Sequence, residues 1–191
     1  MNRMSSVFLF PGQGSQSVGM MADLAAHHPQ VRESFDTASK VLGFDLWDLA
    51  QQGPAERLAL TEITQPLMLV AGVATWRVWR AVGGSDPTWV AGHSLGEFSA
   101  LVAAGVLDFA EAVDLVRFRG EVMRDAVPDG QGGMAAVIGL DDAALIEACR
   151  EAAGDQVAEA VNFNAPGQVV IAGHAEARIA IVEDAGFLER I

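Results

Sequence analysis

The feature that most restricts the fold of this chain is a serine between two glycines, in the segment Gly92-His93-Ser94-Leu95-Gly96. It follows a predicted strand, Thr88 to Ala91, and precedes a predicted helix, Glu97 to Ala104. This order is typical of a nucleophile elbow, in which glycines permit a sharp turn and the serine hydroxyl lies at a helix N-terminus. The pattern predicts Ser94 as a nucleophile and the backbone N–H of Leu95 as an oxyanion donor. The alternative is an ordinary turn in which the serine only caps the helix.

A second glycine-rich turn, Pro11 to Gln16, closes the first predicted strand, Ser6 to Phe10. Gln13 has a glycine on each side, so its peptide N–H can point outward from the end of the strand. If this strand pairs in parallel with the elbow strand, both turns meet at the carboxyl edge, where open α/β sheets bind ligands. We expect Gln13 to supply the second oxyanion donor through its backbone N–H. A simple turn is the alternative.

An arginine lies on the apolar face of the predicted helix Phe109 to Val127. At about 100° per residue, Arg119 shares its face with apolar side chains only. These are Ala112, Leu115, Val116, Val122, Met123 and Ala126. Arg117 and Arg124 point away from this stripe, as solvated arginines do. The pattern therefore predicts that Arg119 faces the interior while its two neighbours face solvent.

A guanidinium that faces the interior is costly unless a carboxylate or an equivalent group satisfies it. One candidate partner for Arg119 is a protein carboxylate, from Glu97 or Glu121. The other is the free carboxylate of a substrate, which the planar guanidinium can hold in a bidentate manner. In the second case the serine would handle acyl groups that carry their own negative charge.

The pattern changes after the break at Pro128-Asp129-Gly130. Strand, helix, strand, strand and helix follow in that order, which is a ferredoxin-like unit without its last strand. The predicted elements are Met134 to Leu140, a helix capped by Asp141-Asp142 that ends near Ala153, Val157 to Phe163, Gln168 to Ala172, and a helix that begins near His174. We therefore predict two domains, residues 1–128 and 129–191.

Composition excludes several classes of partner. The formal net charge of -13 argues against nucleic acids and anionic membranes. No apolar run approaches the roughly 20 residues that a membrane span needs, and the N-terminal apolar stretch is too short for a signal peptide. The only cysteine, Cys149, excludes an internal disulfide and fits a reducing compartment, so we expect a cytoplasmic protein in which Cys149 is a core residue.

Four segments together resemble the malonyl-CoA:acyl carrier protein transacylases of fatty acid synthesis. They are the opening Phe8-Leu9-Phe10-Pro11-Gly12-Gln13-Gly14-Ser15-Gln16, the elbow with Glu97, Arg117-Phe118-Arg119-Gly120, and Asn162-Phe163-Asn164-Ala165-Pro166-Gly167-Gln168. Their order and spacing are very specific, and the similarity covers residues 7 to 174. The resemblance implies an α/β fold: an α/β-hydrolase-like larger subdomain with a parallel sheet, and an inserted ferredoxin-like smaller subdomain, here incomplete.

The resemblance also implies an acyltransferase activity. Ser94 would take malonyl from coenzyme A as an ester and pass it to the phosphopantetheine thiol of acyl carrier protein. The carboxylate-binding arginine of the family falls on Arg119, and its oxyanion donors fall on the N–H groups of Gln13 and Leu95. The implied partners are malonyl-CoA and acyl carrier protein, with no metal and no bound cofactor.

One part of the family pattern is missing. Family members use a histidine downstream of the ferredoxin-like unit as the base, and this sequence stops before it. Of His27, His28, His93 and His174, none matches that position. We therefore interpret the chain as truncated, and expect exposed apolar surface with poor solubility or self-association. Two alternatives stay open: a serine esterase or thioesterase with His174 as its base, and a non-catalytic remnant.

Overall fold

The computed structural model describes residues 6–128, 130–175, 177 and 189–190. The chain divides into two units, Met1–Asp125 and Ala126–Ile191. Helices and strands are both present, which confirms the predicted α/β class. The first unit contains β1 (Val7–Phe10), α1 (Ala22–His27), α2 (Pro29–Leu42), α3 (Leu46–Gln52), α4 (Ala55–Leu58), α5 (Thr61–Ala81), β2 (Trp89–Gly92), α6 (Gly96–Ala103) and α7 (Phe109–Asp125).

The two strands of the first unit pair in parallel, with Phe10 opposite Gly92. Phe8 and Phe10 turn toward the helices, and the Phe8 ring packs edge-on against Trp76 of α5 at 5.3 Å between centroids. Because the strands run in parallel and end together, the two glycine-rich turns that follow them lie at the same sheet edge. This confirms the predicted pairing.

Helix α5 forms the centre of the core of the first unit. Most of its side chains are buried, and they pack with residues of α2 and α7 such as Phe35 and Val113. From the sequence alone, a helix is predicted from Pro66 to Val82, because proline suits the first helical position. This prediction of the helix start is wrong, since α5 begins at Thr61 and Pro66 lies inside it. A proline in the second turn removes one helical hydrogen bond, and the packing of the flanking residues outweighs that loss. The earlier start adds Thr61 and Gln65 to the helix.

The opposite face of the two-stranded sheet is exposed. Val7, Leu9 and Trp89 point outward with 54%, 75% and 69% of their surface accessible. Parallel sheets are normally covered on both faces, so an apolar face of this kind favours association.

We expect the chain to self-associate in sedimentation velocity, and Leu9→Thr to shift the distribution toward monomer. Val106→Thr, at a similarly exposed apolar residue away from the sheet (67%), should have no such effect. A sharp monomer peak for the unaltered chain would contradict this prediction.

The second unit contains β3 (Gly132–Ile138), α8 (Asp142–Ala153), β4 (Ala158–Ala165), β5 (Gln168–His174) and β6 (Glu189–Arg190). The strand order is β4-β5-β3-β6, and all pairings are antiparallel. The sequence predicts that the last strand of the ferredoxin-like unit is missing, whereas the structure pairs Glu189–Arg190 with Ala135 and Ala136 in that position. The helix predicted to begin near His174 falls largely on residues 176 and 178–188, outside the described residues, and His174 itself belongs to β5.

Helix α8 covers one face of this sheet. Asp141 caps it, since its side chain accepts hydrogen bonds from the N–H groups of Ala143 and Ala144. Leu145 and Cys149 pack on Val137 and Val169 of the sheet. Burial raises the pKa of the Cys149 thiol, so this cysteine is a core residue rather than a reactive one.

Across both units, no described helix is long and apolar enough to cross a membrane. No group of three or more His, Cys, Asp or Glu side chains in the described ranges is arranged to hold a metal ion.

Candidate active site

The turn at Ser94 has the geometry of a nucleophile elbow. Ser94 has a φ of 51°, in the left-handed region that side chains rarely adopt. A Cβ on Gly92 would lie 2.0 Å from the carbonyl oxygen of Gly96, and a Cβ on Gly96 would lie 2.0 Å from the carbonyl oxygen of Phe10. Both positions therefore require glycine, because backbone atoms fill the space where a side chain would begin.

The elbow contacts the turn that follows β1. The backbone N–H of His93 donates to the carbonyl of Phe10 at 3.3 Å, and a Cβ on Gly12 would lie 3.1 Å from the His93 carbonyl. Leu95 precedes the first residue of α6, so its N–H is at the positive end of that helix. Within the described ranges, the N–H groups of Gln13 and Leu95 donate to no other protein group. Both donors remain predictions.

Arg119 reaches the serine directly. Its Nη2 donates to the Ser94 Oγ at 3.1 Å and its Nη1 donates to the Gln65 Oε1 at 2.6 Å. The guanidinium also lies 5.8 Å from the centre of the Phe98 ring, which adds a cation–π contact. The structure thus brings together two residues that the sequence singled out for independent reasons.

No carboxylate pairs with Arg119 among the described residues. Glu97 and Glu121 are the two candidate protein partners named above, and neither forms an ion pair with Arg119 in the structure. Glu121 pairs with Arg117 at 2.6 Å, and Glu97 lies on the exposed side of α6. Among the described residues, Arg119 therefore donates only to the neutral oxygens of Gln65 and Ser94, and its positive charge is left uncompensated.

The predicted apolar stripe on α7 is only partly buried. Leu115, Val122 and Met123 are 42%, 50% and 47% exposed. The residues of α7 that enter the core are Phe109, Ala112, Val113, Val116 and Gly120. Gly120 decides this orientation, because a Cβ there would lie 2.5 Å from the Cα of Glu62 and would push α7 away from the start of α5. Arg119 lies at the border of the buried face, half-exposed, rather than in its middle.

Two residues of the site were missed by the sequence analysis. Gln65 is fully buried, and its Nε2 donates to the Thr61 Oγ1 at 2.9 Å. The Thr61 hydroxyl in turn lies 3.4 Å from the Oε1 of Gln13. Polar side chains thus connect the turn after β1 with Arg119 and Ser94. The signal that would have revealed them is a helix start at Thr61, which places Thr61 and Gln65 one turn apart on one face.

None of the four histidines forms a hydrogen bond with Ser94. His27 and His93 are exposed, and His28 precedes α2. His174 accepts a hydrogen bond from the backbone N–H of Val157 at its Nδ1, at 3.0 Å. In the neutral ring the proton then resides on Nε2, so the lone pair that a general base needs is already engaged. This arrangement supports a structural role for His174.

Comparison with known proteins gives the family of this site. Residues 7–187 match the model of the acyl transferase domain. The chain belongs to the acyl transferase domain family. The matched region contains the elbow, Arg119 and Gln65.

Individual acyl transferases are highly similar to this chain. The malonyl CoA-acyl carrier protein transacylase of Escherichia coli (strain K12) is 63% identical over 179 residues, which are 94% of this chain and 57% of that protein. The structure of the enzyme of the same name from Coxiella burnetii superimposes with a TM-score of 0.94 at 50% identity, over 98% of this chain and 61% of that one. A malonyl-transacylase in complex with a type II PKS acyl-carrier protein is 56% identical, with a TM-score of 0.88. The match covers 91% of this chain and 56% of that one. The chain thus spans little more than half the length of these relatives.

Proposed function

We propose that Ser94 takes a malonyl group from malonyl-CoA and passes it to the phosphopantetheine thiol of acyl carrier protein, as in fatty acid biosynthesis. The observation that carries this proposal is the position of Arg119, which lies 3.1 Å from the nucleophile and has no carboxylate partner among the described residues. A half-buried, uncompensated guanidinium beside a reactive serine favours an acyl group with its own negative charge.

The reaction proceeds in two acyl transfers. The Ser94 Oγ attacks the thioester carbonyl carbon, an oxygen–carbon bond forms, the carbon–sulfur bond to coenzyme A breaks, and the hydroxyl proton leaves with the thiol. The phosphopantetheine thiol of the carrier protein then attacks the ester, and the proton returns to Ser94. The acyl group stays on Ser94 between the two steps, so no bound cofactor takes part.

Developing negative charge on the carbonyl oxygen needs donors placed in advance. The backbone N–H groups of Gln13 and Leu95 fit this role, because both follow parallel strands at one edge and Leu95 stands at the start of α6. Gly12 and Gly96 permit the close backbone approach between the two turns.

The separation of the nucleophile and the guanidinium limits the length of the acyl group. Arg119 contacts Ser94 directly, so a carboxylate bound to Arg119 lies close to the acyl carbon bound to Ser94. A malonyl group satisfies this requirement, since one carbon separates its carboxylate from its thioester carbonyl. A longer dicarboxylic acyl group would need more room between the two side chains.

The names of the similar proteins agree with this substrate pair. Relatives at 63% and 45% identity, from Escherichia coli and Bacillus subtilis, are both named malonyl CoA-acyl carrier protein transacylases. We place the reaction in the cytoplasm, where malonyl-CoA and the carrier protein would be its partners and neither nucleic acid nor membrane is required.

The proton of Ser94 requires a base, and the described residues supply none. Among the described residues, the only side chain bonded to the Ser94 Oγ is Arg119, whose guanidinium is a hydrogen-bond donor and offers no lone pair to take the proton. Acylation of this chain alone therefore depends on the elbow, the oxyanion donors and the arginine. In serine proteases that have lost a member of the catalytic triad, the oxyanion hole and substrate binding still accelerate the reaction about a thousandfold over the rate in water.

Incubation of the purified chain with malonyl-CoA should produce one slowly accumulating malonyl adduct, because the nucleophile and its electrostatic surroundings are assembled in the first unit. Intact-mass spectrometry measures it, and Ser94→Ala should show none. The Ser94→Ala change removes an exposed hydroxyl and the hydrogen bond that it accepts from Arg119, so both proteins should melt at similar temperatures.

The same experiment separates the competing functions. Absence of an adduct on a folded chain would contradict the transfer activity of this stretch and favour a non-catalytic role. Hydrolysis of neutral acyl esters that His174→Ala abolishes would instead support the esterase. The hydrogen bond that engages the Nδ1 of His174 argues against that outcome.

A further inference from the structure

The buried amide of Gln65 is the immediate neighbour of the charge that the proposed function uses. Gln65 is 0% exposed, and its Oε1 accepts from the Arg119 Nη1 at 2.6 Å. Its Nε2 donates to the Thr61 Oγ1 at 2.9 Å and lies 3.3 Å from the Met123 Sδ. Arginine is only a donor, so the amide oxygen must face Arg119 and the amide nitrogen must face Thr61. The orientation of Gln65 is therefore fixed on both sides.

The choice of an amide at this position has an electrostatic consequence. A short hydrogen bond to an amide oxygen orients the guanidinium but leaves its full positive charge. A glutamate of the same shape would orient it equally well and cancel that charge. In a half-buried site with reduced screening, a permanent carboxylate would compete with the carboxylate of an acyl group for the same cation.

We propose that Gln65 is a positioning residue that determines specificity: its neutral amide aims Arg119 at Ser94 while leaving the guanidinium charge for the carboxylate of the acyl group. This inference rests on the proposed transfer of a malonyl group. Gln65 acts through Arg119 and touches neither the nucleophile nor, in the described contacts, any group that bonds to the acyl carbon.

If Gln65 had only a structural role, its substitution would have a different effect. As a buried hydrogen-bonding residue of α5, it would support the local fold, and its loss would weaken all ligands to the same extent. A residue that tunes the charge of Arg119 changes the preference between a charged and a neutral acyl group. The ratio of two affinities therefore distinguishes the two roles, and protein stability does not.

The experiment measures calorimetric binding of malonyl-CoA and of acetyl-CoA to the full chain in a Ser94→Ala background, where no transfer occurs. We expect the reference protein, which carries Ser94→Ala alone, to bind malonyl-CoA roughly tenfold or more tightly than acetyl-CoA. Gln65→Glu should remove this preference by weakening malonyl-CoA while leaving acetyl-CoA unchanged. Gln65→Met, which is neutral but has no oxygen, should lower the affinity for malonyl-CoA roughly tenfold, because the guanidinium loses the hydrogen bond that orients it.

A matched control is the same substitution at Gln51, a partly buried glutamine of the first unit whose Nε2 donates to the Met20 carbonyl at 2.9 Å. Gln51→Glu adds an equal charge at a residue that bonds neither Arg119 nor Ser94 in the described contacts, and it should keep the preference. A folded Gln65→Glu variant that still prefers malonyl-CoA would overturn the inference, and so would unchanged malonyl-CoA affinity in Gln65→Met. A reference protein that binds both ligands equally would instead refute the carboxylate site of Arg119 and the proposed function with it.

Discussion

Arg119→Ala should weaken the interaction of the chain with malonyl-CoA by about 2 kcal/mol, the lower end of the loss seen when one partner of a buried hydrogen-bonded charge pair is removed, because Arg119 is half-exposed. The same substitution should spare acetyl-CoA, which has no carboxylate for the guanidinium to bind. The physical reason is that Arg119 carries the only described cation in contact with Ser94. Binding affinity and the rate of adduct formation on Ser94, measured for both thioesters, test this prediction.

Arg117→Ala is the matched control for this prediction. Arg117 lies on the same helix but pairs with Asp114 at 2.8 Å and Glu121 at 2.6 Å, away from the serine. Its side-chain hydrogen bonds to Asp114 and Glu121 raise the pKa of its guanidinium, which marks a surface ion-pair network. Such pairs contribute little to stability and should contribute nothing to selectivity. Equal losses for malonyl-CoA and acetyl-CoA in Arg119→Ala would refute the carboxylate site.

Gly96→Ala should destabilise the first unit by about 3 kcal/mol and abolish the adduct on Ser94. The added methyl group would lie 2.0 Å from the carbonyl oxygen of Phe10 and 2.9 Å from that of Pro11. These are backbone atoms, so the start of α6 and the end of β1 must separate, which is costlier than the shift of a side chain. Separation also moves the N–H of Leu95 away from the turn that contains Gln13. Thermal or denaturant unfolding and intact-mass spectrometry measure the two effects.

Gly133→Ala adds the same methyl group at a position where nothing lies within 4 Å, and it should leave stability and acylation nearly unchanged. It therefore separates the clash at Gly96 from the general effect of replacing glycine with alanine. Near-native stability of Gly96→Ala would show that the elbow and β1 are less tightly packed than the structure indicates.

Local sequence predicted the elbow correctly because its requirements are local. The strand before Ser94, the glycines on either side and the helix after it follow from residues within a few positions of one another. The parallel pairing that places Gln13 near the elbow followed from the order of these elements and a general rule about open sheets. Arg119 was singled out by its helical face, although the burial of that face differed from the prediction.

Gln65 and Thr61 could not be recognised in the same way. Their importance depends on where α5 begins. Proline is common at the first position of a helix, so the sequence predicts a helix start at Pro66 instead of Thr61. Long-range packing decided the start instead, since the helix is held by the core on both sides of that proline. The hydrogen bonds from Arg119 to Gln65 and from Thr61 to Gln13 join residues 54 and 48 positions apart.

The amino-acid sequence by itself determined the strand, glycine-rich turn and helix that hold Ser94, and it singled out Arg119 on α7. The roles of these two residues as nucleophile and carboxylate-binding residue are proposals. Only the tertiary structure decided that Arg119 touches Ser94, that neither Glu97 nor Glu121 neutralises it, and that a buried amide holds it in place. Turns and helical faces arise from neighbouring residues, whereas the partner of a half-buried charge depends on which distant helices pack together.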